Sequence, residues 1–205
     1  MAATRNVTNS YDANTWYNKG TSFVKQGKYD EAIKAFDKVI GIDPTSVEAL
    51  IGKAIAFFAL GKYDETIQAC DKAIKLNPQD ANAWNNKGAA LTAQIKYDEA
   101  VQAYDKAILL NPQDATAWIG KGNAFCMQSK YDEAILAYDK AIELDQSYVE
   151  AWNNKGFVLY NQGKYDEAVQ AYDKAIQLDP KDAEPRYNKG VALNAWASMT
   201  RLFSF

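Results

Sequence analysis

The residues most able to do chemistry stand in a four-letter run, Lys28-Tyr29-Asp30-Glu31, a phenol beside two carboxylates. The same run returns at 62–65, 96–99, 130–133 and 164–167, 34 residues apart each time. Paired acids are the raw material of general acid–base catalysis. A catalytic reading, however, requires five identical sites with nothing to distinguish one from another. A second pair of acids, Glu150 and Glu184, would fall on neighbouring elements one repeat apart, and it offers the best enzyme alternative. The chain has no histidine. That removes the commonest general base, the commonest metal ligand and every Ser-His or Cys-His arrangement. Cys70 and Cys126 lie in different repeats without CxxC spacing, so neither a disulfide framework nor a metal site is expected. No catalytic residue, cofactor or metal is assigned.

Five identical copies point instead to an element that must be built five times. Cut in 34s, the chain gives units 13–46, 47–80, 81–114, 115–148 and 149–182, preceded by a polar lead-in over 1–12 and followed by a partial sixth unit over 183–205. Position 4 of each unit holds Trp16, Leu50, Trp84, Trp118 and Trp152. Position 8 holds Gly20, Ala54, Gly88, Gly122 and Gly156, with Gly190 in the partial unit. Position 24 holds Phe36, Cys70, Tyr104, Tyr138 and Tyr172. Positions 4, 8 and 11 form one helical stripe, and positions 20, 24 and 27 form another. Each unit therefore reads as two antiparallel helices and a proline-marked turn. The small residue at position 8 lets the helices approach, and a hairpin of this kind must stack on its neighbours to bury its apolar face.

This pattern resembles the tetratricopeptide repeat family over residues 13 to about 196. The departures are Ile95 and Ser129 where Gly27, Gly61 and Gly163 stand in the other turns, and Gln146 where the other units carry proline. The resemblance implies an all-α, right-handed α-solenoid of helix–turn–helix repeats: five full repeats and a C-terminal helix. Tyr-Asp-Glu then lies at the turn between helices. Asp30, Asp64, Asp98, Asp132 and Asp166 are expected to act as N-caps of the second helices, and the following Glu adds charge at the positive helix end. The Asp-Lys pairs 37–38, 71–72, 105–106, 139–140 and 173–174 are expected on a solvated outer face.

Function is then expected where the repeats differ. The resemblance implies that first-helix positions 2, 5, 9, 12 and 13 face a concave, peptide-binding groove. Carried onto this chain, the candidate groove residues are Tyr17, Ile51, Phe58, Asn85, Ile119, Asn123, Met127, Asn153, Phe157, Tyr160 and Tyr187. Asparagine amides suit an extended backbone, and the apolar members offer pockets for side chains. Position 5 never holds lysine, and positions 2 and 6 are never basic, so the family's clamp for a terminal carboxylate is not expected.

Net charge is −3 and lysines form no basic block, so no nucleic-acid or membrane partner is expected. The N-terminus lacks the apolar core of a signal peptide and no apolar run reaches membrane-spanning length. The expected setting is cytoplasmic, and the glycosylation pattern Asn6-Val7-Thr8 carries no weight there. The expected role is a protein-interaction scaffold whose partner is a protein or peptide. The alternative is an array that pairs with itself through its C-terminal helix, where Trp196, Leu202, Phe203 and Phe205 make an apolar end.

Overall fold

A computed structural model describes the backbone from residue 2 to 202 and the side chains from 12 to 201. Phe203, Phe205 and the Leu202 side chain lie outside the described residues, as do the side chains of the lead-in up to residue 11. The described chain consists of helices: α1 (Ala2–Lys25), α2 (Tyr29–Ile42), α3 (Val47–Ala59), α4 (Tyr63–Leu76), α5 (Ala81–Ala93), α6 (Tyr97–Leu110), α7 (Ala115–Met127), α8 (Tyr131–Leu144), α9 (Val149–Asn161), α10 (Tyr165–Leu178) and α11 (Glu184–Leu202). Odd-numbered helices are the first helices of repeats and even-numbered ones the second. They fall into two compact units, one ending at Leu110 and one beginning at Asn111. Within the first unit α1, α3 and α5 lie side by side, and within the second α7, α9 and α11 do the same.

The core of each hairpin is a ring set against a missing side chain. Phe36, Tyr138 and Tyr172 are among the largest fully buried side chains. A Cβ added at Gly20 would stand 2.7 Å from the Phe36 ring; at Gly88, 2.8 Å from Tyr104; at Gly122, 2.6 Å from Tyr138; at Gly156, 2.7 Å from Tyr172. Only glycine admits those rings at that distance. The second repeat packs a smaller and less unequal pair, buried Ala54 clustering with buried Cys70. Alanines at positions 20, 23 and 27 of the second helices, such as Ala168, Ala171 and Ala175, complete the buried stripe.

The turn between helices closes by the same backbone bonds in every repeat. The Lys28 N–H donates to the Phe23 carbonyl at 2.9 Å and the Gly27 N–H to the Val24 carbonyl at 3.0 Å, with Gly27 at φ +71°. This is the Schellman arrangement, in which a left-handed residue satisfies the last helical carbonyls. Ile95 and Ser129 adopt it too, at φ 64° and 59°, with Lys96 and Lys130 donating to Leu91 and Phe125 at 2.9 Å. The departures from glycine thus change the local strain and leave the turn geometry intact.

The capping expectation is corrected. The second helices begin at tyrosine, the residue before them is Lys28, Lys62, Lys130 or Lys164, and none of these makes a side-chain cap bond. The physical reason is economy of chain. The residue that closes the first helix, Lys28, already accepts the first bond of the next from the Ala32 N–H at 3.0 Å. No residue remains to serve as a separate cap. Asp30 and Glu31 sit inside the first turn, where their charge faces the positive helix end. True side-chain caps occur at the first helices instead, where the Ala49 N–H donates to Ser46 Oγ and the Ala83 N–H to Asp80 Oδ1.

The outer face is not merely solvated. Lys53, Lys87, Lys155 and Lys189 each pair at 2.6 Å with Asp37, Asp71, Asp139 and Asp173 of the preceding second helix. Trp84 and Trp152 donate their indole N–H at 3.1 Å to the carbonyls of Pro78 and Gln146. A backbone carbonyl is the acceptor, so Gln146 serves as well as proline.

Two substitutions test this packing. Gly88→Leu drives a side chain into the Tyr104 ring and is expected to cost about 3 kcal/mol, read as a lower denaturation midpoint. Ile95→Gly relieves a β-branched residue in the left-handed region and is expected to stabilise by about 1 kcal/mol, read by the same melt.

Candidate functional site

The first unit carries a cleft of about 220 Å³ lined by Tyr17, Thr21, Val24, Glu48, Ile51, Ile55, Asp80 and Asn82 over the floor made by Phe36 and Gly52. Helices α1 and α3 supply the wall because positions 5, 9 and 12 recur on one helical face. The ring of Tyr17 leans on Phe36, centroids 5.9 Å apart and planes at 60°. Gly52 matters here, since a Cβ at that residue would stand 2.5 Å from the Phe36 ring. Ile55 and Phe58 are exposed beside the cleft, and Phe58 is braced by Tyr63 at 5.5 Å. Its charged lining groups are Glu48 and Asp80, and no cation lines it.

The second unit presents a polar ladder on the equivalent face. Asn123 Oδ1 accepts from the Tyr138 hydroxyl at 2.7 Å and from Asn154 Nδ2 at 3.0 Å, while its own Nδ2 donates to Glu150 at 3.4 Å. One step along, Asn153 accepts from Asn188 at 3.1 Å and donates to Glu184 at 2.9 Å. Each asparagine thus holds a glutamate of the next first helix, and Glu150 and Glu184 remain exposed. Burial, and secondarily the Cys126 and Glu150 charges, pushes the Tyr138 phenol well above its ordinary range, so it stays a donor.

The sequence-derived groove residues divide by burial. Met127, Phe157 and Tyr187 are open to solvent with Phe58, and Tyr17, Ile51, Asn85, Asn123 and Tyr160 are half-buried. Ile119 is 4 % exposed and belongs to the core with Tyr138 and Val158, so it packs rather than faces a ligand. Asn153 is 6 % exposed and its amide is engaged within the chain. The structure adds Asp80, Asn154 and Asn188 to the site. Asp80 had a legible signal, an acid just before a helix start, but that pattern speaks of capping rather than of a cleft.

On the other face, equivalent clefts lie beside Trp84, Lys87 and Glu99 and beside Trp118, Lys121 and Glu133, of about 220 and 290 Å³. Burial pushes the Cys70 thiol up to about 12 and raises Cys126 as well, opposite to what a nucleophilic thiolate needs. Asp43 and Asp145 are held below the usual carboxylate range by hydrogen bonds from Thr45 and Ser147 in the inter-repeat turns. Among the described residues no group of three or more His, Cys, Asp or Glu side chains is placed to hold a metal, and no helix is long and apolar enough to cross a membrane.

Models described as tetratricopeptide repeat match residues 17–81, 81–114, 103–136 and 149–182, and one described as TPR repeat matches 122–163. The chain belongs to the tetratricopeptide repeat family. No curated protein sequence matches it. Among solved structures it is similar to MamA, with 29 % identity, a TM-score of 0.69, and coverage of 80 % of this chain and 96 % of that one. YrrB, described as a TPR protein with an unusual peptide-binding site, shares 21 % identity at a TM-score of 0.68 over 93 % and 98 % of the two chains. PilF of Pseudomonas aeruginosa shares 21 % at 0.78 over 96 % and 94 %. The two latter likenesses show the fold. The family supports a general role in protein interaction.

Asn153→Ala separates packing from recognition. It leaves Glu184 and Asn188 without their partner in a half-buried site, and is expected to cost about 1–3 kcal/mol of stability, measured by chemical denaturation. Asn85→Ala, on a less buried amide, is expected to melt close to the parent chain.

Proposed function

We propose that the first-helix face captures an extended peptide segment of another protein, seating an aliphatic side chain in the first unit's cleft with a cationic group beside it. The observation that carries the reading is the composition of that cleft: an apolar wall of Val24, Ile51 and Ile55 whose charged groups are both carboxylates. The same sign recurs at Glu150 and Glu184. Of all residues at positions 2, 5, 6, 9, 12 and 13, Lys25 alone is basic. A cation on the ligand meets complementary charge there, and an anion meets repulsion. The peptide-binding site described for YrrB supports a ligand of this class on this fold.

The test uses three fluorescein-labelled peptides in which leucine alternates with lysine, serine or glutamate, followed by anisotropy. The lysine peptide is expected to bind most tightly. Glu48→Gln is expected to weaken it about two- to fivefold, the scale of one exposed ion pair, with a shallower salt dependence. Ile55→Ser is expected to weaken the lysine and serine peptides alike. Failure of all three peptides to bind sinks the groove reading. Equal binding of the lysine and glutamate peptides keeps the groove and sinks the charge preference.

A further inference from the structure

The cleft of the first unit lies where the second unit carries a polar network. In the fourth repeat the Tyr138 hydroxyl donates to Asn123 Oδ1 at 2.7 Å, and Asn154 of the next first helix donates to the same oxygen at 3.0 Å. The first repeat has Phe36, Thr21 and Gly52 at those three positions. The phenol oxygen and both amides are gone, and the Thr21 hydroxyl turns back to the Tyr17 carbonyl at 3.0 Å. Phe36, Thr21 and Gly52 all line the cleft of about 220 Å³. The glutamate of the network is kept. Glu150 takes the Asn123 amide at 3.4 Å. Glu48 holds the same repeat position and lines the cleft, with threonine where that amide would be.

The spacing along α3 says what fits there. Glu48, Ile51, Gly52 and Ile55 stand at i, i+3, i+4 and i+7, one face of a helix, and all four line the cleft. Gly52 has no side chain, so the row reads carboxylate, gap, aliphatic. The gap lies about 6 Å along the axis from Glu48 and about 4.5 Å from Ile55. Val24 and Ile51 flank it, and Phe36 floors it. This shape suits an unbranched chain that is apolar along its length and cationic at its end. Lysine is that side chain, a four-carbon stem ending in a compact ammonium with three donors. Leucine fills the gap and brings nothing to the carboxylate. The two lining carboxylates, Glu48 on α3 and Asp80 at the start of α5, belong to different helices. Diverging ammonium donors suit that arrangement better than the flat fork of a guanidinium.

We propose that this cleft is a lysine pocket, a step that rests on the peptide-capture reading of the same face. The aliphatic group and the cation that it takes are one side chain, with the stem over Gly52 between Val24, Ile51 and Ile55 and the ammonium on Glu48. What the Asn123 amide does for Glu150 inside the chain, the ligand does for Glu48. Acetylation of that lysine removes its charge and donors, so it releases the peptide.

Anisotropy with the labelled leucine–lysine peptide tests it, beside two versions in which every lysine is ornithine or Nε-acetyllysine. Ornithine carries the same charge on a stem one methylene shorter. It is expected to bind about fourfold more weakly, the scale of one buried methylene. Acetyllysine is expected to bind about tenfold more weakly or worse, the scale of a lost charged hydrogen bond. Glu48→Gln is expected to weaken the lysine peptide and leave the ornithine peptide nearly unchanged, because the shorter stem does not reach it. Thr21→Asn supplies Glu48 with an amide from the chain itself. It is expected to melt like the parent and weaken the lysine peptide about threefold. Equal binding of the lysine and ornithine peptides, equal loss of both in Glu48→Gln, undiminished binding by Thr21→Asn, or retained binding of the acetyllysine peptide would each overturn the lysine pocket and leave peptide capture standing. Failure of every peptide to bind overturns peptide capture and the pocket with it.

Discussion

The contact on which the rest depends is an aromatic ring lying where a Cβ is missing. Helices this close gain dispersion over their whole length, because small residues on both sides leave no voids. The ring of Phe36, Tyr104, Tyr138 or Tyr172 takes the volume that Gly20, Gly88, Gly122 or Gly156 gives up. In the second repeat a smaller pair, Ala54 and Cys70, buries as completely. What the repeats share is therefore a buried, close pair at positions 8 and 24, not one residue type at either. The same rule explains why α11, whose Gly190 meets no ring among the described residues, leaves Leu193 half open.

Around that apolar interlock runs a set of polar ties that fix the register of one repeat on the next. Lysine at position 7 meets the aspartate of the preceding second helix, tryptophan holds a turn carbonyl, and Gln94 and Gln162 donate to Asp64 and Asp132 at 2.7 and 2.8 Å. Exposed ion pairs contribute little stability, typically about 0–1 kcal/mol. Their value lies in selecting one stacking geometry among several that would bury similar apolar area. It follows that Asp64 and Asp132 of the recurring Lys-Tyr-Asp-Glu run, and Lys53, Lys87, Lys155 and Lys189, are occupied by the architecture. Recognition is left to the positions that vary.

The fold was legible because its signals are periodic. A 34-residue spacing, a small residue at position 8 and a ring at position 24 each repeat, and every copy corroborates the others. The N-caps were misread because residue type alone favours aspartate over lysine. The decision rests on how the preceding helix closes, and a Schellman turn uses the cap residue twice. The groove was legible by position and not by depth. Ile119 and Ile55 occupy the same face by spacing, yet one is core and the other exposed, since burial depends on what an adjacent helix places over each. Asn153 likewise reads as a ligand-facing amide until Glu184 and Asn188 are brought to it by α11.

The two units, each taken by itself, present different chemistry on their first-helix faces. The first offers aliphatic wall and an aromatic rim, Ile51, Ile55, Phe58 and Tyr17. The second offers amides whose carbonyl oxygens are already engaged: Asn123 accepts two bonds and Asn153 one from inside the chain. What they leave toward solvent is glutamate oxygen, held in place by the amide donors. Such a surface is rich in acceptors and poor in donors. A peptide backbone brings donors and acceptors in equal number, so it would leave carbonyls to water there while its N–H groups and any cationic side chains find partners. A carboxylate-bearing segment would meet the reverse, unpaired charge against fixed charge. The polarity of the face is thus set by the same inter-repeat asparagine bonds that hold α7, α9 and α11 in register.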